Sequence, residues 1–175
     1  MPELSIKPAT VEDLGPIRDV YADARALQRS LGPLQWLDFG EESTLAQIHA
    51  GELYLALDGD TLAGVFTVAY EDPLLWGERD RGEHIYLHRI ARSASFTGGG
   101  LVAAVIRWAR AHRRAIGRRG LRMDTWAENQ TLVEFYGRFG FELVGHVTPD
   151  ADPRLPPHYY GTKLALLEER AELPG

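Results

Sequence analysis

Residues 84–117 read HIYLHRIARSASFTGGGLVAAVIRWARAHRRAIG. The β-branched and aromatic residues within Glu83–Arg92 predict a strand, and the 3.6-residue spacing of apolar residues after Leu101 predicts a helix. Gly117 or Gly120 is expected to end that helix. The three glycines at 98–100 free the backbone N–H groups between strand and helix to bind an anion. The stretch therefore predicts a phosphate or pyrophosphate site, with a flexible turn that binds nothing as the alternative.

The charge distribution also sets this segment apart. The chain has a formal net charge of −6, with 25 acidic residues against 19 lysines and arginines, which argues against non-specific binding of nucleic acid. No acidic residue occurs from His84 to Met123. The arginines of this basic block are Arg89, Arg92, Arg107, Arg110, Arg113, Arg114, Arg118, Arg119 and Arg122. The block indicates either a site for an anionic ligand or a solvated helix face.

Length and composition limit the class of protein. With 175 residues, of which 45% are hydrophobic and 25% charged, the sequence predicts one globular domain over residues 1–175. The absence of cysteine excludes disulfides, thiolate metal sites and a cysteine nucleophile. No apolar run approaches the roughly 20 residues that span a bilayer, and no secretory signal is visible. We therefore expect no membrane association and a cytoplasmic location.

The other elements follow from hydrophobic periodicity and from turn and cap residues. Strands are predicted at Ser5–Pro8, Leu53–Leu57, Leu62–Ala69, Leu121–Thr125, Phe141–Val147 and Tyr159–Leu166. Helices are predicted after the cap Thr10, over Glu41–Ala50 and after the cap Asn129. The order β-α-α-β-β-β-α-β-α-β-β combines hairpins with crossovers, so the sheet should be mixed.

Three segments resemble a known family. IYLHRIAR (85–92) resembles the fourth strand of GNAT acetyltransferases, and FTGGGLV (96–102) stands where that family carries its Q/R-x-x-G-x-G/A turn. LRMDTWAENQTLVEFYGRFGFELVG (121–145) resembles the family's next strand and helix, and it is the most specific segment. The resemblance covers essentially the whole chain. It implies an α/β (α+β) fold with a mixed six- to seven-stranded sheet flanked by about four helices.

The resemblance implies that the chain binds acetyl-CoA. In the family, the pantetheine arm pairs with the fourth strand and the diphosphate sits on the glycine turn. The implied cofactor-binding residues are Ile90, Ala91, Arg92, Thr97, Gly98, Gly99, Gly100, Leu101, Val102, Asn129, Leu132 and Tyr136. Thr97 replaces the family's Gln or Arg, and Val102 replaces its second Gly or Ala. Of the residues that define the family pattern, only Gly100 matches strictly. The pattern therefore predicts the location of the cofactor more securely than its affinity.

The family chemistry assigns roles to two side chains. Tyr136 matches the family tyrosine near the thioester sulfur and is the expected proton donor, although it also belongs to an apolar helix stripe. His88 is the expected base, with Glu83 and Asp72 as substitutes and a structural histidine as the alternative. The Ile90 N–H is the expected donor to the reacting carbonyl. His88 should alternate with Tyr86 and Ile90 on one strand face.

Aromatic residues and carboxylates lie in the segments that form the acceptor side of this fold. The expected acceptor-binding residues are Trp36, Asp72, Trp76, Tyr86 and Tyr159. Such residues suit a cationic molecule with a primary amine, acetylated by direct attack in a ternary complex. Core packing of the tryptophans is the alternative. No histidine spacing indicates a metal site, so none is expected, and the chain should be a monomer or a homodimer. A domain that binds acyl-CoA without turnover is the alternative function.

Overall fold

The computed structural model describes residues 3–171. Its strands are β1 (Ser5–Pro8), β2 (Leu53–Asp58), β3 (Thr61–Ala69), β4 (His84–Arg92), β5 (Gly120–Trp126), β6 (Phe141–Val147) and β7 (Leu164–Glu169). Its helices are α1 (Leu14–Leu31), α2 (Glu41–His49), α3 (Pro73–Trp76), α4 (Leu101–Ala115) and α5 (Gln130–Gly137). Short 3-10 turns cover Val11–Asp13, Gly77–Arg79 and Pro157–Tyr159.

The strands form one mixed seven-stranded sheet in the order β1-β2-β3-β4-β5-β7-β6. β4 and β5 are parallel, with His84 opposite Gly120 and Leu87 opposite Met123. β7 is antiparallel to both β5 and β6. This confirms the expected mixed sheet and its number of strands, because a crossover through α4 joins parallel strands and tight turns join antiparallel ones.

The chain divides into two compact units. The first unit comprises the described residues up to Val68 together with His88–Trp108. Its core packs the apolar face of α1 against β2 and β3. The buried members are Ala9, Ile17, Val20, Tyr21, Ile48, Leu53, Leu55, Val65 and Ala91. The half-buried Trp36 and Phe39 pack against this cluster, so the α1–α2 connection is anchored to the unit by aromatic side chains.

The second unit comprises Ala69–Leu87 and the described residues from Ala109 onward. One of its core clusters contains Leu75, Trp76, Tyr86, Leu164 and Leu166. The half-buried residues packed against it are Ala69, Trp126, Val144, Val147, Leu155 and Tyr159. This unit therefore holds most of the predicted acceptor-binding side chains. The prediction of a single domain over residues 1–175 stays a prediction.

The predicted helix starts are confirmed by cap hydrogen bonds. The Thr10 backbone N–H donates to Asp13 Oδ2 at 2.8 Å, as part of a complete capping box before α1. Asn129 Oδ1 accepts from the Leu132 N–H at 3.1 Å and caps α5. Gly117, with φ +72°, follows the end of α4, where a left-handed residue favours glycine.

One element was missed, and the start of another was predicted wrongly. α3 was not predicted, because four residues beginning at Pro73 are too few to show a helical period. The last strand begins at Leu164 rather than at Tyr159, which ends a 3-10 turn. The Tyr160 hydroxyl donates to the carbonyls of Asp152 (2.7 Å) and Leu155 (3.2 Å). These bonds hold the aromatic pair in a loop despite its β propensity.

In the part of the chain that the structure covers, residues 3–171, no helix combines the length and apolar character needed to cross a bilayer.

Candidate active site

The end of β4 in the first unit carries an unusual backbone conformation. Arg89 has φ +52°, and it is the one non-glycine residue with positive φ within residues 3–171. Side chains alternate only along extended backbone. The regular alternation predicted for Tyr86, His88 and Ile90 therefore applies only up to His88, and this part of the prediction was wrong. His88 is half-buried, and its carbonyl accepts from Thr67 Oγ1 at 3.2 Å.

Hydrogen bonds fix the turn that follows β4. The Ser93 N–H donates to the Ala63 carbonyl at 2.9 Å, and the Ala94 N–H donates to Asp23 Oδ2 at 3.1 Å. The Arg92 guanidinium donates twice to the Phe96 carbonyl, at 3.0 and 2.7 Å. The Arg92 side chain therefore closes the turn by binding the Phe96 carbonyl.

The three glycines meet different constraints. A Cβ on Gly98 would lie 2.5 Å from the Phe96 ring, and Gly100 has φ +83°. A Cβ on Gly99 would have no heavy atom of its surroundings within 4 Å. Glycine is therefore required at 98 by the neighbouring Phe96 ring and at 100 by the backbone conformation, whereas Gly99 faces open space. That open space beside exposed backbone is what an anion cradle needs.

The start of α4 completes this candidate phosphate turn (residues 97–102). The first N–H groups of a helix have no partner within the helix and carry a partial positive charge. Leu101 is buried and Val102 is half-buried. No acidic residue follows before Asp124 in the sequence. The residues present therefore fit a diphosphate, and Val102 is not buried against the protein.

Gly64 on β3 is a residue that the sequence analysis missed. A Cβ there would lie 2.5 Å from the Ala91 carbonyl and 2.6 Å from Leu101 Cδ2. Its hydrogen atom allows the start of α4 to approach β3 and β4 closely. A glycine inside a strand is a signal for such an approach, but it does not name the neighbour.

Most arginines of the basic block bind groups of the protein itself. In the first unit, Arg92 binds the Phe96 carbonyl and Arg107 lies 3.7 Å from Glu3. In the second unit the ion pairs are Arg110–Glu169 (2.6 Å), Arg113–Glu169 (3.3 Å), Arg119–Glu83 (3.7 Å) and Arg122–Glu168 (2.7 Å). The buried Arg113 and Arg122 fit neither predicted alternative, whereas the exposed Arg107 on α4 fits a solvated helix face. Their acidic partners lie outside the block, far away in sequence, so local composition could not reveal them.

Tyr136 lies on α5 in the second unit and is 9% exposed. Its ring packs edge-on against Phe135 and Phe141, with centroids 5.4 and 6.3 Å apart. Burial, followed by the negative charge of Asp124, raises the pKa of Tyr136 to about 12. The phenol is therefore a protonated donor throughout the neutral range, as the predicted acid requires. Asn129 acts as a helix cap, and a contact of Asn129 or Leu132 with a cofactor stays a prediction.

Asp72 and Asp124 come together in the second unit. One carboxylate oxygen of each lies within 4.8 Å of the other, and both residues are half-buried. The Asp72 N–H donates to Asp80 Oδ2 at 2.6 Å, which fixes the start of α3. The sequence analysis did not select Asp124. Its signal was a carboxylate inside the predicted strand, in LRMDTW (121–126), which marks a charge that needs a partner.

The structure corrects the predicted role of two acceptor-binding residues, Tyr86 and Trp76. Tyr86 is fully buried, with its hydroxyl donating to Asp80 Oδ1 at 2.9 Å and accepting from Arg122 at 3.2 Å. Trp76 is buried as well, with the Arg122 guanidinium 4.4 Å from its ring centroid. Contact with an acceptor would take both side chains out of the core. They support Asp80 and α3 instead, while Tyr159 and Trp36 remain half-buried.

Buried tyrosines predict a loss of stability at high pH. Burial raises the pKa of Tyr21, Tyr86 and Tyr136 from 10.0 to about 12. Above pH 10 the unfolded chain therefore binds fewer protons than the folded chain, and the free energy of unfolding falls as pH rises toward 12. We expect a loss on the order of 1 kcal/mol per tyrosine by pH 11. Urea unfolding at pH 9, 10 and 11 measures it, and a constant free energy would contradict the prediction.

Comparisons with known proteins identify the family. The family model described as Acetyltransferase (GNAT) family matches residues 19–141. A Bacillus subtilis (strain 168) protein named Uncharacterized N-acetyltransferase YesJ is 31% identical over 146 residues, which cover 79% of this chain and 81% of that protein. The chain belongs to the GNAT acetyltransferase family and is an N-acetyltransferase.

Solved structures share the fold. A GNAT family acetyltransferase from Listeria monocytogenes 4b F2365 matches with a TM-score of 0.76 and 24% identity, covering 95% of this chain and 94% of that chain. Rv2747 from Mycobacterium tuberculosis, in complex with CoA and NLQ, matches with a TM-score of 0.64 and 13% identity, covering 97% and 99%. At these identities the likeness concerns the fold alone.

Proposed function

We propose that this N-acetyltransferase moves an acetyl group from acetyl-CoA to the primary amine of a small cationic molecule, by direct attack in a ternary complex. The observation that carries the proposal is the Asp72–Asp124 carboxylate pair, within 4.8 Å, together with the protonated phenol of Tyr136 in the same unit. Two carboxylates at this distance favour a cation, because their negative charges attract it together.

The candidate phosphate turn supports binding of acetyl-CoA. Backbone N–H groups of residues 97–102 would hold the diphosphate, and the backbone of Ile90–Arg92 would pair with the pantetheine arm like an added strand. When bound, acetyl-CoA supplies the acetyl group as a thioester whose carbonyl an amine can attack. The open position at Gly99 leaves room for the phosphate oxygens.

Side chains and backbone groups of the protein would then attract the amine and transfer its protons. An alkyl amine has a pKa near that of lysine, about 10.4, so it arrives as an ammonium ion that Asp72 and Asp124 attract. His88 would accept the ammonium proton, directly or through water. Glu83 is the weaker substitute, since it already lies 3.7 Å from Arg119. The Ile90 N–H would donate to the carbonyl oxygen of the tetrahedral intermediate. As the C–S bond breaks, the Tyr136 hydroxyl would give its proton to the departing sulfur, and the second proton lost by the attacking nitrogen would restore the Tyr136 hydroxyl, directly or through water.

Thermal unfolding and thiol release test the proposal together. Acetyl-CoA at 100 times its Kd should stabilise the protein by about 2.7 kcal/mol. Release of free thiol should then depend on an added amine, and it should be faster for diamines or amino-acid amides than for neutral alcohols of equal size. Stabilisation by acetyl-CoA with no thiol release from a broad amine panel would overturn the proposed reaction.

Thr97 and Val102 favour a second candidate function, an acyl-CoA-binding domain without turnover. They stand where the family carries Gln or Arg and a small residue, so they weaken the match of the turn to the family pattern. This candidate predicts stabilisation by acetyl-CoA and no amine-dependent thiol release. The same two assays therefore separate the functions. Whether the chain acts as a monomer or a homodimer stays a prediction.

Asp124→Asn should weaken binding of the acceptor more than binding of acetyl-CoA. Removal of one of the two negative charges should raise KM for a cationic amine about tenfold or more, with the Kd of acetyl-CoA unchanged. KM for an uncharged arylamine should change less, because an uncharged acceptor is not attracted by the Asp124 carboxylate in the wild type. Asp150→Asn, at an exposed carboxylate of the same unit, is the matched control. Equal changes for charged and uncharged acceptors would contradict the assignment.

A further inference from the structure

Arg89 combines two features that rarely occur together. It has the left-handed φ of +52° and a large side chain. This conformation is disfavoured for residues other than glycine, because Cβ approaches the carbonyl oxygen of its own residue. Such strain persists only where the surroundings hold it, and it occurs often at functional sites. The left-handed conformation of Arg89 must therefore be held by contacts of its side chain or backbone.

The Arg89 side chain is anchored to the α1–α2 region of its own unit. Its Nη1 donates to Gln47 Oε1, on α2, at 3.0 Å. Its guanidinium carbon lies 3.7 Å from the centroid of the Phe39 ring, close enough for a cation–π interaction. Phe39 in turn packs edge-on against the buried Tyr21, with centroids 5.0 Å apart. A hydrogen bond and a ring stack together fix the side chain at its far end.

The position of Arg89 in the sequence gives this anchor a function. The peptide plane that follows Arg89 carries the N–H of Ile90, and the backbone angles of Arg89 set its orientation. A left-handed residue turns the next N–H away from the direction that a regular strand would give it, as β-bulges do near active sites. The Ile90 N–H is the donor that the proposed function assigns to the carbonyl oxygen.

We propose that Arg89 is a positioning residue, whose anchorage to Gln47 and Phe39 holds the left-handed backbone that directs the Ile90 N–H at the reacting carbonyl. The inference rests on the proposed function for its catalytic consequence. Its structural part, that the side chain maintains the backbone conformation, stands on the contacts of the first unit. The residue acts through Ile90 and touches no reacting atom itself.

Arg89→Ala and Arg89→Gly form the decisive pair. Both remove the hydrogen bond and the ring stack, but glycine adopts φ +52° at no steric cost whereas alanine does not. We expect Arg89→Ala to lower kcat by about 10²-fold, as the loss of a carbonyl donor does, with a smaller change in KM. Arg89→Gly should keep kcat within about tenfold of the wild type. Gln47→Ala, which leaves the ring stack in place, should fall between the wild type and Arg89→Ala.

Arg107→Ala is the matched control, since it removes an arginine of the same basic block whose ion pair with Glu3 is exposed. Its kcat should equal that of the wild type. Equal losses in Arg89→Ala and Arg89→Gly, with the Ile90 amide resonance of Arg89→Gly at its wild-type position, would overturn the proposal, because the side chain would then matter other than through the backbone. Full activity of Arg89→Ala would overturn it as well.

NMR spectroscopy tests the role of Arg89 independently of the proposed function. In amide NMR spectra, the Ile90 resonance should shift strongly in Arg89→Ala and far less in Arg89→Gly. An unshifted Ile90 resonance in Arg89→Ala would overturn the structural part, whatever the activity. If the wild type releases no thiol while the resonances behave as expected, the proposed function fails and the anchoring role of Arg89 stands. Thermal melts verify that each variant is folded.

Discussion

Tyr136→Phe is expected to lower kcat by about 10²-fold or more, while the Kd of acetyl-CoA changes by less than about threefold. The substitution removes only the hydroxyl, so the ring contacts with Phe135 and Phe141 remain. The departing thiolate would then take its proton from water, without the positioned donor. Thiol-release kinetics give kcat, and calorimetric titration with acetyl-CoA gives the Kd.

The pKa of Tyr136 sharpens this prediction. Burial raises the pKa of Tyr136 to about 12, above the pKa of about 10.4 of an alkyl amine. Wild-type kcat should therefore not decline on the alkaline side through loss of the Tyr136 proton below about pH 11. Tyr160→Phe is the control, because that phenol also donates a hydrogen bond in the second unit, to the Asp152 carbonyl. A Tyr136→Phe enzyme as fast as the Tyr160→Phe control would exclude Tyr136 as the acid.

Gly99→Val is expected to raise the Kd of acetyl-CoA by at least about tenfold, with little change in the free energy of unfolding. The protein has no heavy atom within 4 Å of the added Cβ, and Gly99 does not have a left-handed φ. The new side chain therefore enters the space that we assign to the diphosphate. Acetyl-CoA titration and urea unfolding measure the two quantities separately.

Gly15→Val is the matched control for Gly99→Val. Gly15 lies on the exposed side of α1, has no heavy atom within 4 Å of an added Cβ, and has no left-handed φ. Its variant should bind acetyl-CoA with the wild-type Kd. A Gly99→Val protein that also binds with the wild-type Kd would show that the diphosphate lies elsewhere, and the use of residues 97–102 as a phosphate turn would be abandoned.

The fold was predictable where local signals agree. Asp58-Gly59-Asp60, between the predicted strands Leu53–Leu57 and Leu62–Ala69, is typical of a hairpin and lies at the β2–β3 turn, and the predicted cap Thr10 marks the start of the first helical segment. Asn129 gave the start of α5 for the same reason. Each of these signals involves residues within four positions of one another. A local rule can describe them because no distant partner is needed.

The candidate site was predictable only in part, because its decisive features depend on distant partners. The left-handed backbone of Arg89 has no sequence signal, since glycine and asparagine usually mark it. The carboxylates that neutralise Arg110 and Arg122 come from Glu169 and Glu168, at the far end of the chain. Asp72 and Asp124 are separated in the sequence by α3, β4 and α4, so their closeness follows from the fold alone.

The place of β7 in the sheet has a consequence for how the protein is made. β7 is the last strand of the sheet in chain order, yet it lies between β5 and β6. A nascent chain that has reached only Val147 therefore presents unpaired backbone edges on both of these strands, and such edges invite association with other chains. Until Leu164–Glu169 has left the ribosome, the nascent chain should therefore be prone to aggregation, and this is the interval of synthesis in which chaperones would protect it.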